Sequence, residues 1–316
     1  MMRTTYQERR ALGCRVQLAL VMDEDDQAGV EDLMRTLWLE ILYFEKRCSR
    51  FLPDSELSQF NRQAGTKQPV SAELADILAA AADMAVRTDG VYNPFILPAL
   101  QKAGYVGSLE PGRADDSIDD FSARSVASAG QLELGDGWAR IPYNTAIDLG
   151  GCGKGYIGDR LADMVAGMDD LAGYWFSIGG DTVLGGSDES GAPWTLYLQP
   201  DPKVDDRIGE IVVPGDGGPW AVATSSTRYR KGKHSGGAWH HIIDPRSGKA
   251  ADTDLELAII HGHSLLLADV LATSVLIVGR KAAPGLVASN DGIRAAAWQG
   301  DASDPLELWG DGITTY

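Results

Sequence analysis

Cysteine is scarce. The 316 residues contain three, Cys14, Cys48 and Cys152, widely separated, with no C-x-x-C pair and no Cys/His cluster at zinc spacing, which argues against a disulfide framework and a structural zinc site. Positive charge is also short, with 28 Lys and Arg against 45 Asp and Glu and a net charge of −17. Nucleic acids and anionic membrane surfaces reward basic patches, so neither is expected as a partner. No apolar run reaches the ~20 residues of a membrane span. The longest, Leu265 to Val278, has 14 and contains Asp269. Met1 to Arg10 lacks the continuous apolar core of a secretory signal, and a cytoplasmic protein is the expectation. Internal repeats and long Pro/Gly/Ser linkers are missing as well. Residues 1–316 are therefore read as one domain, with 106–136, rich in Gly, Ser and Asp, as a surface excursion.

Glycine, by contrast, is concentrated. From Gly150 to Gly158 five of nine positions are glycine, in a turn between the apolar Ala146-Ile147 and a helix-like segment through Leu161. Such a turn brings main-chain N–H groups close to a ligand, and the helix start adds partial positive charge, which is anion-binding chemistry. Close packing of a strand-to-helix turn is the other reading. A Walker A loop fails, because Asp148 stands where its first glycine belongs and Gly155 follows Lys154. Gly153-Lys154-Gly155-Tyr156-Ile157-Gly158 matches G-x-G-x-x-G, but regular βαβ alternation does not surround it.

Apolar periodicity supplies the frame. Residues 11–22 read as a strand, Val30 to Cys48 as a helix with Val30, Leu33, Met34, Leu37, Ile41 and Leu42 on one face, and Ser71 as the cap of a second helix ending at Asp89-Gly90. Tyr174 to Ile178 reads as a strand, and 194–200 and 208–213 as paired strands. Arg228 to His234 is a basic loop, suited either to steering an anionic ligand or simply to solvent. Leu265 to Val278 is apolar on nearly every side, so as a helix it is buried with Asp269 inside it. A buried carboxylate needs a partner or a metal. Thr273, four residues on, shares its face, and the two suit a hard cation such as Mg²⁺. An arginine partner for Asp269, or a back-bond from Thr273 to its own helix, is the alternative.

Several stretches together resemble the ApbE family of FAD-dependent protein flavin transferases. Asp148-Leu149-Gly150-Gly151-x-x-Lys154-Gly155-x-x-x-Asp159 resembles the family's central signature. Ser49-x-Phe51-x-x-x-Ser55-x-Leu57-Ser58-x-x-Asn61 is similar to the segment that borders the flavin ring, with Phe51 in place of tyrosine. Asp89-Gly90-Val91-Tyr92-Asn93-Pro94 resembles D-G-x-F-D-P of the flavin pocket, with Asn93 for aspartate. Gly179-Gly180-Asp181 resembles a turn at the nucleotide, His241-Ile242-Ile243-Asp244-Pro245 the H-I-I-D-P motif, and Ala268-Asp269-x-x-Ala272-Thr273 the family's A-D-x-x-A-T. Leu12-Gly13-Cys14 stands where the family has a Met-Gly-Thr-like turn, and Ser226 where glycine is commoner.

The resemblance implies an α+β fold of mixed sheets with packed helices and a cleft between two lobes. It implies Mg²⁺ held by Asp269, Thr273 and the Gly151 carbonyl, and FAD contacted by Leu12, Phe51, Val91, Tyr92, Asn93, Asp148, Lys154, Asp181 and Ile243. The reaction implied passes FMN from FAD to a Thr or Ser hydroxyl of an acceptor flavoprotein and releases AMP. His241 is the candidate base, because a neutral imidazole takes a proton near pH 7, with His240 as the fallback. A Mg²⁺-dependent FAD pyrophosphatase and a non-catalytic FAD-binding protein are the alternatives.

Overall fold

The computed structural model describes residues 1–107, 119–199, 207–215, 218–228, 231–234, 237–301 and 304–316. In chain order the first half comprises β1 (Met2–Ala11), β2 (Cys14–Asp23), α1 (Gln27–Cys48), α2 (Glu56–Arg62), β3 (Gln68–Pro69), α3 (Ala72–Arg87), α4 (Leu97–Lys102), β4 (Glu133–Gly135), β5 (Trp138–Arg140) and α5 (Gly153–Val165). The second half comprises β6 (Leu171–Ile178), β7 (Asp181–Gly186), β8 (Thr195–Leu198), β9 (Gly209–Val212), β10 (Trp220–Ser226), β11 (Lys231–His234), β12 (Gly237–His240), β13 (Ile243–Asp244), β14 (Lys249–Ala250), β15 (Leu257–Gly262), α6 (Leu265–Val278), α7 (Ala283–Ala288), β16 (Ile293–Gln299), β17 (Glu307–Gly310) and β18 (Thr314–Thr315).

An eight-stranded sheet in the order β1-β2-β6-β7-β10-β15-β16-β17 organises the fold, and its neighbours pair antiparallel throughout. Side chains alternate between its faces. Phe176, Val183, Ala221, Ala223, Ala258, Ile260 and Ala296 meet the core that contains α1, α5 and α6. Leu184, Trp220, Val222, Leu257, Ile259 and Ala297 form a second core on the opposite face. The three-stranded sheet β18-β9-β8 closes that side through Leu198 and Ile211. The result is the α+β arrangement expected, three layers deep.

One strand differs from the reading of the sequence. Residues 11–22 do not form a single strand: Ala11 ends β1 and Cys14 begins β2, with Leu12 (φ 56°) and Gly13 (φ 68°) forming the turn between them. Two successive residues at positive φ make the tight hairpin that matches strand twist. Leu12 is the non-glycine member, and its N–H is held by Glu45 Oε1 at 3.0 Å. Of 106–136, the acidic pair Asp115-Asp116 lies outside the described residues, as does the greater part of the 201–207 connection. Phe121 packs with Leu97 and Ala146, Arg124 donates to the carbonyls of Asn61 and Thr145 at 2.6 and 2.8 Å, and β4 pairs with β5. No helix among the described residues is long and apolar enough to cross a membrane.

Helix α6 is buried at eleven of its fourteen residues and packs on β10, β15 and α5. Its N-terminus is capped twice. Ser264 Oγ accepts from Leu267 N at 3.2 Å, and Asp159 of α5 accepts from Ser264 Oγ, Leu265 N and Leu266 N at 2.7, 2.6 and 3.0 Å. Burial holds the Asp159 carboxyl above the usual range, while these hydrogen bonds pull it down. At Gly155 an added Cβ would fall 2.5 Å from Leu266 Cα and 2.6 Å from the Leu265 carbonyl oxygen, both backbone atoms. Helix α5 therefore lies directly on the first turn of α6.

Gly155→Ala is accordingly expected to lower stability by about 1–3 kcal/mol, the usual penalty of overpacking. Gly285→Ala in α7, where the added carbon meets nothing within 4 Å, is expected to be neutral or stabilising, because alanine is the better helix former. Melting temperatures of the two variants beside the parent check both signs.

Candidate active site

A cleft of about 1480 Å³ opens between the second face of the large sheet, the strand β8 and the turn that leads into α5. Leu12, Phe51, Val91, Tyr92, Asn93, Asp148, Gly151, Lys154, Asp181, His241, Ile243, Asp269 and Thr273 all line it. Residues spread from the first hairpin to α6 thus share one wall. His240 faces away, its Nε2 lying 3.2 Å from the Ala251 carbonyl oxygen, and burial lowers its pKa. Arg228, from the basic loop, is engaged by Glu256, Gln299 and the Gly300 carbonyl. Tyr229 and Arg230 lie outside the described residues.

The charged centre joins two buried carboxylates to a half-buried lysine. Lys154, in the first turn of α5, donates to Asp181 Oδ2 and, at 3.1 Å, to Asp269 Oδ1. Asp269 Oδ2 also takes the Gly155 N–H at 3.2 Å, and Asp181 Oδ1 takes the Thr224 N–H at 2.8 Å. Asp181 and Asp269 are only 2% and 3% exposed, so two carboxylates in a low-dielectric site share one ammonium. Burial raises the Asp269 carboxyl to about 6, Lys154 and the Gly155 N–H pull it down, and Asp181 pushes it up. The 6→7 hairpin holds Asp181 in place through Gly179 and Gly180, at φ 65° and 102°.

A second centre went unnoticed in the sequence. Asp148 Oδ2 meets Arg50 Nε at 2.6 Å, both side chains buried, and Asp148 Oδ1 accepts from Gly150 N at 2.8 Å. The guanidinium lies 4.1 Å from the Phe51 ring centroid and 4.8 Å from that of Tyr105. Tyr105 in turn stands edge-on to His241, at 6.4 Å. A signal existed: Asp148 follows the apolar Ala146-Ile147, and a carboxylate there calls for a cation. Asn93 uses both ends of its amide, donating to Ala127 O at 2.8 Å and accepting from Phe95 N at 2.9 Å. An aspartate at this position would lack the first bond. Ser225 was also missed; its Oγ lies 2.8 Å from Thr273 Oγ1.

The donor set fits a hard cation. Asp269 offers a carboxylate, Thr273 a hydroxyl one helical turn on, and Gly151 a backbone carbonyl, while the charged centre keeps a net formal charge of −1. Three or more His, Cys, Asp or Glu side chains do not gather into a metal cluster among the described residues. Oxygen donors of this kind would suit Mg²⁺ better than zinc.

Comparison with known proteins gives a consistent picture. The model of the ApbE family matches residues 12–297. The FAD:protein FMN transferase of Vibrio cholerae serotype O1 is 27% identical over 271 residues, covering 84% of this chain and 79% of its own. That of Treponema pallidum is 25% identical over 304 residues, covering 89% and 80%. Among solved structures, the apo form of the Pseudomonas stutzeri flavinyl transferase ApbE superposes with a TM-score of 0.79 at 22% identity, covering 98% of this chain and 94% of its own. The last is a likeness of fold.

The Asp269 carboxyl binds its proton more tightly in the folded than in the unfolded chain, so metal-free protein should lose stability as pH rises from about 4 to about 6. Asp269→Asn removes that loss, while Asp181 still neutralises Lys154. In EDTA the variant is expected to exceed the parent by about 1–3 kcal/mol at pH 8, with the gap closing near pH 4. Urea unfolding at the two pH values measures it; equal stabilities at pH 8 would mean that Lys154 offsets the burial completely.

Proposed function

The chain belongs to the ApbE family, and from that premise we propose that it is a Mg²⁺-dependent FAD:protein FMN transferase, acting on a Thr or Ser hydroxyl of an acceptor flavoprotein and releasing AMP. The observation that carries this reading is the meeting of Lys154, Asp181 and Asp269 beside the glycine turn, in a cleft roomy enough for a dinucleotide. Three cysteines widely separated in the sequence suit a reducing compartment, and we propose the cytoplasm.

In the proposed reaction the acceptor oxygen attacks the phosphorus on the FMN side of the pyrophosphate, the bond to the AMP oxygen breaks, and the hydroxyl proton passes to the His241 imidazole. Asp269, Thr273 and the Gly151 carbonyl would hold Mg²⁺, which would supply Lewis-acid stabilisation of the phosphate charge. Lys154 adds a second positive charge at the nucleotide, and the N-terminus of α5 adds its dipole. Phe51, half-buried and backed by Arg50 on one face, offers an aromatic surface to the flavin. Leu12, Val91, Tyr92, Asn93, Asp148, Asp181 and Ile243 shape and hold the pocket around FAD.

Incubation with FAD, Mg²⁺ and an acceptor protein tests the reading. AMP together with flavinylated acceptor supports it, AMP with free FMN makes the protein a pyrophosphatase, and retained FAD without turnover makes it a binder. His241→Ala is expected to lose transfer by about 10²–10⁴-fold, the range for a general base, while keeping bound FAD near the parental level. Full transfer by that variant moves the base elsewhere. Asp269→Ala is expected to erase the difference in FAD retention between Mg²⁺ and EDTA. An unchanged difference would remove Asp269 from the metal site.

A further inference from the structure

Arg50 is the least explained charge in the protein. It is 8% exposed and paired with an equally secluded Asp148. Such a pair is weak evidence of stability, because desolvating both ions offsets much of their attraction. The bonds it makes suggest a different reason for it. Nε holds Asp148, Nη1 donates to the Val106 carbonyl at 3.0 Å and Nη2 to the Tyr105 carbonyl at 3.2 Å. The guanidinium lies over the rings of Phe51 and Tyr105, which meet each other edge-on at 6.1 Å. Asp148 N also donates to the Pro94 carbonyl at 2.8 Å. Three separate cleft segments, 49–51, 105–106 and 148–151, are thereby joined at one planar group, and 93–94 is tied to them through the Asp148 N–H.

We propose that Arg50 is a positioning residue for the transfer, fixing the Asp148–Gly151 turn on one side and the Tyr105 ring against His241 on the other. The inference rests on the proposed reaction for its catalytic meaning, and on geometry alone for its structural meaning. Asp148 carries the effect to the turn, because its Oδ2 is held by Arg50 while its Oδ1 orients the Gly150 N–H, next to the Gly151 carbonyl. Tyr105 carries it to His241, because the guanidinium both lies over the ring and holds the carbonyl of the same residue. Lysine cannot replace this: a compact ammonium preserves the charge but has no fork to span three acceptors and no plane to lay against an aromatic corner.

Arg50→Lys is the test, with Tyr105→Leu as a second variant that leaves the buried charges untouched. In Arg50→Lys, amide hydrogen exchange of the peptide containing Gly150 and Gly151 is expected to speed up while that of α6 stays at the parental rate. The Mg²⁺ midpoint for AMP release should rise by about 10-fold, the lower end for a partner that orients a metal ligand, with FAD binding in EDTA unchanged. Tyr105→Leu should lower kcat and leave the Mg²⁺ midpoint alone. Unchanged exchange at Gly150-Gly151 in Arg50→Lys overturns the proposal whatever the activity does, as does a uniform rise in exchange that includes α6. If the parent releases no AMP, the reaction is wrong and the exchange result still decides the role of Arg50. Should Arg50→Lys fail to fold, a parental kcat in Tyr105→Leu overturns the proposal and a lowered kcat at an unchanged midpoint supports it.

Discussion

A carboxylate on a helix that is apolar all round is the constraint from which the site follows. Asp269 cannot reach solvent from α6, so its charge is met inside, by the Lys154 ammonium and the Gly155 N–H. Both come from the first turn of α5, and that turn reaches Asp269 only because Gly155 puts no side chain between the two helices. Asp159, one turn further along α5, caps α6 and fixes its start. The glycine-rich stretch therefore serves two ends at different positions: Gly155 and Gly158 for contact with α6, Gly150 and Gly151 for the cleft wall. Packing and ligand chemistry are not alternatives here.

The large sheet divides the remaining work. One face meets the helices through alanines small enough to admit α6, and the other builds a second core beneath the small sheet β18-β9-β8. The cleft forms where this second core stops short, so its floor is sheet and its rim is made of turns. In a protein of net charge −17, Lys154 and Arg50 are placed at the rim on backbone that is itself pinned by hydrogen bonds. Both are already met by carboxylates, Lys154 by Asp181 and Asp269 and Arg50 by Asp148, so they place positive groups locally without reversing the field an anionic nucleotide meets.

Much of this was legible in the sequence, for reasons particular to each element. The α1, α3 and α6 helices announced themselves through apolar spacing and, for α3, the Ser71 cap; Asp269 stood out as a charge in an apolar run. The first hairpin was not legible in the apolar pattern, because Leu12 carries a positive φ that nothing in its side chain advertises; only the resemblance to a family turn at Leu12-Gly13-Cys14 pointed to it. Arg50 escaped notice because its partners, Asp148 and the carbonyls of Tyr105 and Val106, are distant in sequence. Asp159 was visible as the last letter of a motif, but its work as the cap of α6 depends on a helix more than a hundred residues later.

The separation between Lys154 and Asp269, 115 residues, also sets an order of assembly. A chain made from its N-terminus has the hairpin of β6 and β7, and with it the pairing of Lys154 with Asp181, before α6 exists. The large sheet itself is closed by pairings of high sequence separation, such as β2 with β6, which form slowly because loop entropy must be overcome first. The helix that brings the last carboxylate is also the one that covers the alanine face of β10 and β15. Until it docks, that face is bare apolar surface of the kind that makes folding intermediates aggregate. Completion of the charged site and protection of the nascent sheet are thus a single late event.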